Sequence, residues 1–195
     1  GHTPTLPKHE HMTPDPISPY AVAKLASERY MISFYRCYGL ETVALRYFNI
    51  FGPRQDPSSP YSGVLAKFIT LMLSGQQPTM FGDGEQSRDF TYIDNAVEAN
   101  LLACKAPAGK VAGKVFNVAT GRRVTLNETF KLLQNLTSYN GSPLHGEERG
   151  GDIKHSLADI SQAEQYLGYK PAVGFEAGLQ RTVDWYRSQT KAAGA

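Results

Sequence analysis

Apolar positions along the chain alternate between helical spacing and short β-branched runs, a pattern typical of an α/β protein. The first helical segment, Pro19–Tyr38, has apolar and aromatic side chains on more than one face, so we expect a helix packed on two sides. Ser18 before it and Gly39 after it are typical of a helix start and a helix end. The β-branched and aromatic run at 41–52 predicts a buried strand. Helix, turn and strand together indicate the late part of a parallel sheet.

The rest of the chain predicts further helices and short strands in succession. Thr125 with Glu128 and Ser161 with Glu164 have the spacing of capping boxes, and Asp94 is placed to cap another helix. The predicted helices cover about 63–74, 94–105, 125–136, 161–168 and 175–188, and the predicted strands cover 78–81, 87–93 and 115–119. A proline-rich loop at 53–60 follows the buried strand, where open α/β sheets bind ligands.

Composition narrows the function classes. The 195 residues are 41% hydrophobic and 19% charged with a formal net charge of +2, which is ordinary for a globular protein. No basic run favours nucleic acid and no apolar run has the length of a membrane span, so we expect a cytoplasmic protein with neither partner. Cys37 and Cys104 lie in apolar helical patterns and are expected to be buried, reduced thiols. His9 and His11 lie on a proline-rich loop without a third ligand, so we expect no metal site.

The strongest candidate chemistry is the pair Tyr20 and Lys24. Residues four apart on a helix share a face, and an ammonium group beside a phenol favours the phenolate. Such a pair can take a proton from a sugar or alcohol hydroxyl. The spacing alone does not separate this from an ordinary amphipathic helix, because the chain has 11 tyrosines and a second match at Tyr166 and Lys170. Gly168 lies inside that second match, which favours a helix end there.

A glycine-rich cofactor loop is not found in the sequence. Gly82 and Gly84 are followed by Ser87 instead of a third glycine, and the segment runs into a predicted strand. It therefore fails the dinucleotide-binding pattern, which needs a glycine-rich turn that opens a helix. Walker, nucleophile-elbow and paired-cysteine zinc motifs are also absent from the sequence.

Longer motifs give a more specific interpretation. In chain order they are residues 18–24, 45–54, 81–94, 116–121, 148–152, 159–163 and 167–171. With these motifs the chain, from about residue 3 to 187, resembles the extended short-chain dehydrogenase/reductase family, and within it the bacterial UDP-glucose and UDP-N-acetylglucosamine 4-epimerases. The loop at 54–63 looks most like the branch that acts on UDP-N-acetylhexosamines, alone or together with UDP-glucose.

The resemblance implies a fold and its organisation. Residues 1–60 would be the C-terminal remnant of a Rossmann-type parallel sheet that binds NAD. Residues 61–195 would be a smaller α/β substrate-binding domain, from which some segments return to the Rossmann part. The family's N-terminal half, with its glycine-rich NAD fingerprint, has no counterpart in these 195 residues. We therefore expect a C-terminal piece that binds NAD weakly or not at all and does not turn over alone.

The resemblance also implies residue roles. Tyr20 would be the general base on the sugar 4-hydroxyl, and Lys24 would hold the nicotinamide ribose; Tyr47 and Asn49 would lie at the cofactor as well. Hydride would leave C4 for NAD, the 4-keto sugar would turn over, and hydride would return to its other face. The residues implied at the UDP-sugar are Asn49, Thr79, Met80, Phe81, Arg88, Arg149 and Asp152. Among them, residues 79–81 would lie along the uracil.

Two alternatives stay open at this point. A nucleotide-sugar 4,6-dehydratase or decarboxylase would need further acid/base residues, which would lie mainly in the half without a counterpart here. A non-catalytic nucleotide-sugar-binding or assembly module is the alternative from another class. The sequence does not fix which UDP-sugar is bound. Apolar surface left uncovered on the 19–38 helix and on the sheet predicts a homo-oligomer that forms through that helix and the exposed sheet surface.

Overall fold

Helices and short strands alternate along the chain, as the hydrophobic pattern predicts. The computed structural model describes residues 3–59, 63–148 and 153–193. The helices are α1 (Pro19–Tyr38), α2 (Val64–Leu73), α3 (Ile93–Lys105), α4 (Ala108–Val111), α5 (Leu126–Thr137), α6 (Ser161–Leu167) and α7 (Phe175–Ala193). The strands are β1 (Val43–Tyr47), β2 (Ile50–Phe51), β3 (Thr79–Phe81), β4 (Ser87–Arg88), β5 (Thr91–Tyr92), β6 (Lys114–Val118), β7 (Val124–Thr125) and β8 (Leu144–Gly146).

Strand pairing in the described residues is mainly parallel. β1 pairs with β6, β2 with β5 and β3 with β8 in parallel, whereas β4 and β7 are antiparallel. The β1–β6 pair is the longest, with Val43 opposite Lys114 and Tyr47 opposite Val118. Parallel neighbours need long crossover connections, here made by helices, and this confirms the predicted α/β class.

The larger hydrophobic core lies where α2, α5 and α7 meet. Phe90 stacks on Phe175 with ring centroids 5.1 Å apart, and Phe68 meets Phe130 edge to face at 5.9 Å. Ile69, Leu133, Leu179 and Val183 are fully buried beside them. The stacking of Phe90 on Phe175 packs the chain just before β5 against the start of α7.

A second core lies against the β1–β6 pair. Phe116, Val118 and Tyr169 are fully buried there, among apolar residues of α3 and α6. The Tyr169 hydroxyl donates to the Ala119 carbonyl at 2.9 Å, and burial raises the pKa of Tyr169. β6 pairs with β1, which lies within residues 1–60. The division at residue 60 and the return of later segments to the first part stay predictions.

Three predicted elements are confirmed closely. α1 spans the predicted residues, begins at Ser18, whose hydroxyl accepts from the Ala21 amide at 3.2 Å, and ends at Gly39 in the left-handed conformation. α2 buries its predicted apolar face. α5 begins with a complete capping box, in which Thr125 and Glu128 each accept from the other's backbone amide.

Two predicted strands are wrong as single elements. The run at 41–52 is divided into β1 and β2, which belong to different sheets, because Asn49 turns the backbone with φ 40°. The run at 87–93 is divided into β4 and β5, which also pair with different strands. A continuous apolar pattern does not show where a chain leaves one sheet and enters the next.

Two predicted helix caps are also wrong. Asp94 lies in the first turn of α3, and the helix begins after Tyr92 without a side-chain cap. Ser161 is the first residue of α6, not its cap, and its own amide donates to the Asp159 carboxylate at 2.8 Å. The Glu164 amide, which a capping box would pair with the Ser161 hydroxyl, donates to the Ile160 carbonyl at 2.9 Å.

The surface of α1 differs from its predicted packing. Only Glu28 and Ile32 are buried on this helix, so it packs on one side and not on two. Cys37 on α1 and Cys104 on α3 are free but exposed, which corrects their predicted burial. Both errors have the same cause: apolar helical faces were assigned to a core that the described residues do not supply.

Candidate active site

Tyr20 and Lys24 lie on the first turns of α1. The N-cap at Ser18 and the fixed backbone of Pro19 set the direction in which the helix starts. The Lys24 Nζ lies 5.5 Å from the centroid of the Tyr20 ring, so the structure brings the two predicted groups together. Both side chains are exposed, with 56% of Tyr20 accessible. The pair is therefore open to a ligand from the solvent side.

An ion pair attaches α1 to the sheet below this pair. The Arg46 guanidinium of β1 donates to both oxygens of the Glu28 carboxylate, at 2.6 Å and 2.9 Å. Glu28 is one of the two buried residues of α1, and a two-bond contact of this kind fixes orientation as well as distance. Thr42 adds a hydrogen bond to the Met31 carbonyl at 2.8 Å. These contacts fix α1 against β1, and with it the Tyr20 side chain.

Asn49 lies at the break between β1 and β2. Its Nδ2 donates to the Asp89 carbonyl at 3.2 Å and to the Ser156 hydroxyl at 3.4 Å, while its own carbonyl accepts from the Thr91 amide at 3.2 Å. Asparagine adopts positive φ more readily than most residues, which suits this position. Asn49 thus lies at the junction of three chain segments.

Tyr47 lies in different surroundings. Its hydroxyl donates to the Asn100 Oδ1 of α3 at 3.0 Å, and its ring is half-exposed. Tyr47 lines a cavity of about 470 Å³ along β1 with Leu45 and Cys104 among its neighbours. Its predicted place at the cofactor stays a prediction.

Arg88 is held by backbone carbonyls. Its Nη1 donates to the carbonyls of Ser87 and Lys154, both at 3.1 Å, and the side chain is half-buried. Lys154 and the residues after it run beside β4, with the Ser156 amide donating to the Ser87 carbonyl at 2.9 Å. Arg88 and Asn49 therefore contact the same two segments.

The predicted uracil-binding residues form β3. Thr79 and Phe81 are half-buried, while the Met80 side chain is buried in the core and leaves only its backbone for a ligand. Phe81 lines a small cavity of about 60 Å³ with Gly82, Glu148 and Lys154 among its neighbours. Arg149 and Asp152, also predicted at the substrate, lie outside the described residues.

Asp89 is a site residue that the motifs do not single out. It is fully buried, and its carboxylate accepts hydrogen bonds from Thr120, Gly121 and Ala158. Burial raises the pKa of Asp89, and these hydrogen bonds oppose that rise. The signal in the sequence is a carboxylate within the predicted strand 87–93, directly before Phe90.

Among the residues that the structure describes, no group of three His, Cys, Asp or Glu side chains could hold a metal ion. Within the same residues, no helix combines the length and the apolar character needed to cross a bilayer.

A family comparison shows the family to which the chain belongs. The sequence model of the NAD dependent epimerase/dehydratase family matches residues 1–119, which is more than half of the chain. The chain belongs to this family. The recognition made from the motifs is thereby confirmed, and the parallel pairs are those of a Rossmann-like fold.

Individual relatives of the chain are nucleotide-sugar 4-epimerases. A UDP-glucose 4-epimerase of Mycolicibacterium smegmatis is 34% identical over 191 residues, which are 98% of this chain and 60% of the relative. A Thermotoga maritima UDP-glucose 4-epimerase, solved with UDP-glucose, is 44% identical with a TM-score of 0.86, covering 91% of this chain and 56% of that structure.

A third relative is a UDP-N-acetylglucosamine 4-epimerase. The enzyme of Methanobrevibacter ruminantium, solved with UDP-N-acetylmuramic acid, is 44% identical with a TM-score of 0.91, covering 97% of this chain and 60% of that structure. The chain thus spans somewhat more than half the length of the relatives that it matches.

Proposed function

We propose that this chain is the part of a UDP-sugar 4-epimerase that contains the catalytic tyrosine–lysine pair and most of the nucleotide-sugar contacts. The observation that carries the proposal is the geometry of α1, where Lys24 Nζ lies 5.5 Å from the Tyr20 ring on an exposed face. Family membership supports a reaction for that pair, since the family is NAD dependent and the matched relatives include 4-epimerases of UDP-sugars.

Tyr20 is the proton-transfer group in this proposal. Its oxygen, in the deprotonated form, would take the proton of the sugar 4-hydroxyl as the C4 hydride leaves, and would return it when the hydride comes back to the other face. Lys24 has its ammonium group 5.5 Å from the Tyr20 ring and would donate to the ribose next to the nicotinamide. General base catalysis of this kind contributes about a hundred- to ten-thousand-fold in rate.

These residues supply contacts for the nicotinamide end of NAD and not for its pyrophosphate. Lys24 and Tyr20 supply the charge and the hydroxyl that suit the nicotinamide ribose. The sequence offers no glycine-rich turn for the pyrophosphate. When bound, NAD supplies the hydride acceptor and donor. We propose that these 195 residues bind NAD weakly and do not turn over alone.

The UDP-sugar contacts lie along β3, β4 and the β1–β2 junction. The Arg88 guanidinium is planar and forked, which suits diphosphate oxygens, and the Lys154 carbonyl orients it. Asn49 is fixed by Asp89 and Ser156 beside it. Thr79 and Phe81 line the place proposed for the uracil, next to the small cavity at Glu148. Arg149 and Asp152 complete the set in the proposal.

Calorimetric titration of the chain with UDP-N-acetylglucosamine and, separately, with NAD tests the proposal. We expect the nucleotide sugar to bind, and NAD to bind with a dissociation constant above about 1 mM, which corresponds to less than about 4 kcal/mol. Arg88→Gln removes the forked donor and should weaken UDP-sugar binding, whereas Arg181→Gln on α7 changes the charge equally and should not. Micromolar NAD affinity would contradict the proposal for the isolated chain.

A 4,6-dehydratase or decarboxylase is the second enzymatic candidate, because the matched family includes dehydratases. Such an enzyme would differ from a 4-epimerase in its product and not in how it binds the nucleotide. A non-catalytic nucleotide-sugar-binding module would bind UDP-sugar in the same way. Formation of UDP-galactose from UDP-glucose by a protein that contains this chain would identify the epimerase, and its absence would leave the other two candidates.

We further propose that two copies associate through α1. Tyr30, Phe34 and Tyr38 on this helix are 68%, 46% and 78% exposed, which is much apolar surface for one helix. Light scattering at increasing concentration should show a dimer. Phe34→Glu should shift it toward the monomer, whereas Val97→Glu on α3, also half-exposed, should not. A monomeric mass for the unmodified chain at all concentrations would refute the association.

A further inference from the structure

Asp89 connects three separate parts of the chain through one buried carboxylate. Its Oδ1 accepts from the Thr120 amide at 2.9 Å and from the Thr120 hydroxyl at 2.7 Å. Its Oδ2 accepts from the Gly121 amide at 3.1 Å and from the Ala158 amide at 3.2 Å. The side chain is 0% exposed. The turn after β6 and the segment around 158 are thus fixed to the end of β4.

The backbone of the same residue contacts the proposed substrate groups. The Asp89 carbonyl accepts from Asn49 Nδ2 at 3.2 Å, and Arg88 is its neighbour in sequence. Both of those side chains also contact the 154–158 segment, Arg88 at the Lys154 carbonyl and Asn49 at the Ser156 hydroxyl. Asp89 holds the far end of that segment through the Ala158 amide.

We propose that Asp89 is a positioning residue of the UDP-sugar site, which fixes Asn49, Arg88 and the 154–158 segment in the arrangement that binds the nucleotide. This inference rests on the proposed function. Asp89 does not touch the ligand in this account. It acts by holding the groups that do.

The chemistry of the carboxylate explains why aspartate is needed here. All four partners donate, and an ionised carboxylate is the side chain that can accept at both oxygens. In Asp89→Asn one oxygen becomes an NH₂ group, which faces backbone amides in either orientation of the amide. The Thr120 hydroxyl can turn to accept, but the Thr120, Gly121 and Ala158 amides cannot. The variant therefore loses at least one backbone contact.

The experiment is a calorimetric titration of the chain with UDP-N-acetylglucosamine, with thermal unfolding recorded for each variant. Asp89→Asn should raise the dissociation constant about tenfold or more, since a 1.4 kcal/mol loss is tenfold. Thr120→Val removes the hydroxyl bond to Asp89, together with two longer contacts of the same hydroxyl to the Arg122 backbone at 3.3 Å, and keeps the Thr120 amide bond. It should raise the dissociation constant about two- to fivefold. Thr120→Ser keeps the hydroxyl and should restore binding to within about twofold.

Asn95→Ala is the matched control for lost stability. Asn95 is buried and makes two hydrogen bonds to the Val173 backbone, at 2.8 Å and 3.0 Å, away from the proposed contacts. It should lower the melting temperature without weakening binding of the folded chain.

The outcomes distinguish failure of the positioning role of Asp89 from failure of the proposed function. Normal binding by both Asp89→Asn and Thr120→Val would overturn the positioning role and leave the proposed function intact. Equal losses in Thr120→Val and Thr120→Ser would also overturn it, because the hydroxyl would not be the cause. If Asp89→Asn does not fold, the comparison of Thr120→Val with Thr120→Ser tests the positioning role. Absence of binding by the unmodified chain would overturn the proposed function and the positioning role together.

Discussion

Removal of the Glu28 carboxylate should detach α1 from the sheet and show how Tyr20, the proposed catalytic tyrosine, is held. Glu28 accepts two hydrogen bonds from Arg46, at 2.6 Å and 2.9 Å, with side-chain exposures of 10% and 27%. Breaking one partner of a buried pair costs about 3–5 kcal/mol. Because Arg46 is more than a quarter exposed, solvent screens part of that loss. We therefore expect about 2–3 kcal/mol for Glu28→Ala and about 1–2 kcal/mol for Glu28→Gln, which keeps one acceptor.

Urea denaturation measures the free energy of unfolding, and hydrogen exchange of the α1 amides reports local detachment. Only Glu28 and Ile32 are buried on α1, so exchange should accelerate in this helix more than in α5. Asp184→Asn is the control, because its ion pair with Arg187 has side-chain exposures of 54% and 37% and should be worth less than about 0.5 kcal/mol. Equal losses in Glu28→Gln and Asp184→Asn, with unchanged exchange in α1, would refute the reasoning.

The remaining predictions concern stability and are measured by thermal or urea unfolding. Gly84→Ala should lower the free energy of unfolding by more than about 2 kcal/mol, because φ is +79° and the added methyl would overlap the Asn127 and Met80 side chains. Gly39→Ala has a similar φ of +70° but open space around it, so it should lower that free energy by about 1 kcal/mol. Equal losses would show that overlap does not matter. Thr125→Ala removes a capping box and should lower the free energy of unfolding by about 1 kcal/mol. Ser161→Ala removes a hydroxyl that caps no helix and should lower it by less than about 0.5 kcal/mol. A larger loss for Ser161→Ala than for Thr125→Ala would contradict the assigned caps. Because burial raises the pKa of Tyr169, the folded protein holds that proton more tightly than the unfolded chain, so stability should fall as pH rises above about 10. In Tyr169→Phe that decline should be shallower, and an unchanged decline would assign it to other groups.

Local signals predicted the helices well. α1 is fixed by a serine, a proline and a glycine at its ends, and α5 by a capping box, so their bounds can be read from neighbouring residues. The Tyr20–Lys24 contact follows from the same helical geometry. These features depend on residues close in sequence, which is why they could be predicted.

The sheets and the buried contacts depend on distant residues. Asn49 divides one apolar run between two sheets, and only the partners β5 and β6 show where each part belongs. The four bonds to Asp89 come from residues 31 to 69 positions later in the chain. A single sequence holds no record of such pairs, so the contacts of Asp89 could not be derived from it.

Saturation-transfer NMR of the chain with UDP-N-acetylglucosamine tests the central claim most directly, because it shows which ligand protons contact the protein. We expect the strongest saturation on the uracil and ribose protons, removal of the signal by excess UDP, and little change with excess ADP. Absence of saturation, or a signal that UDP does not displace, would contradict a UDP-sugar site in these residues.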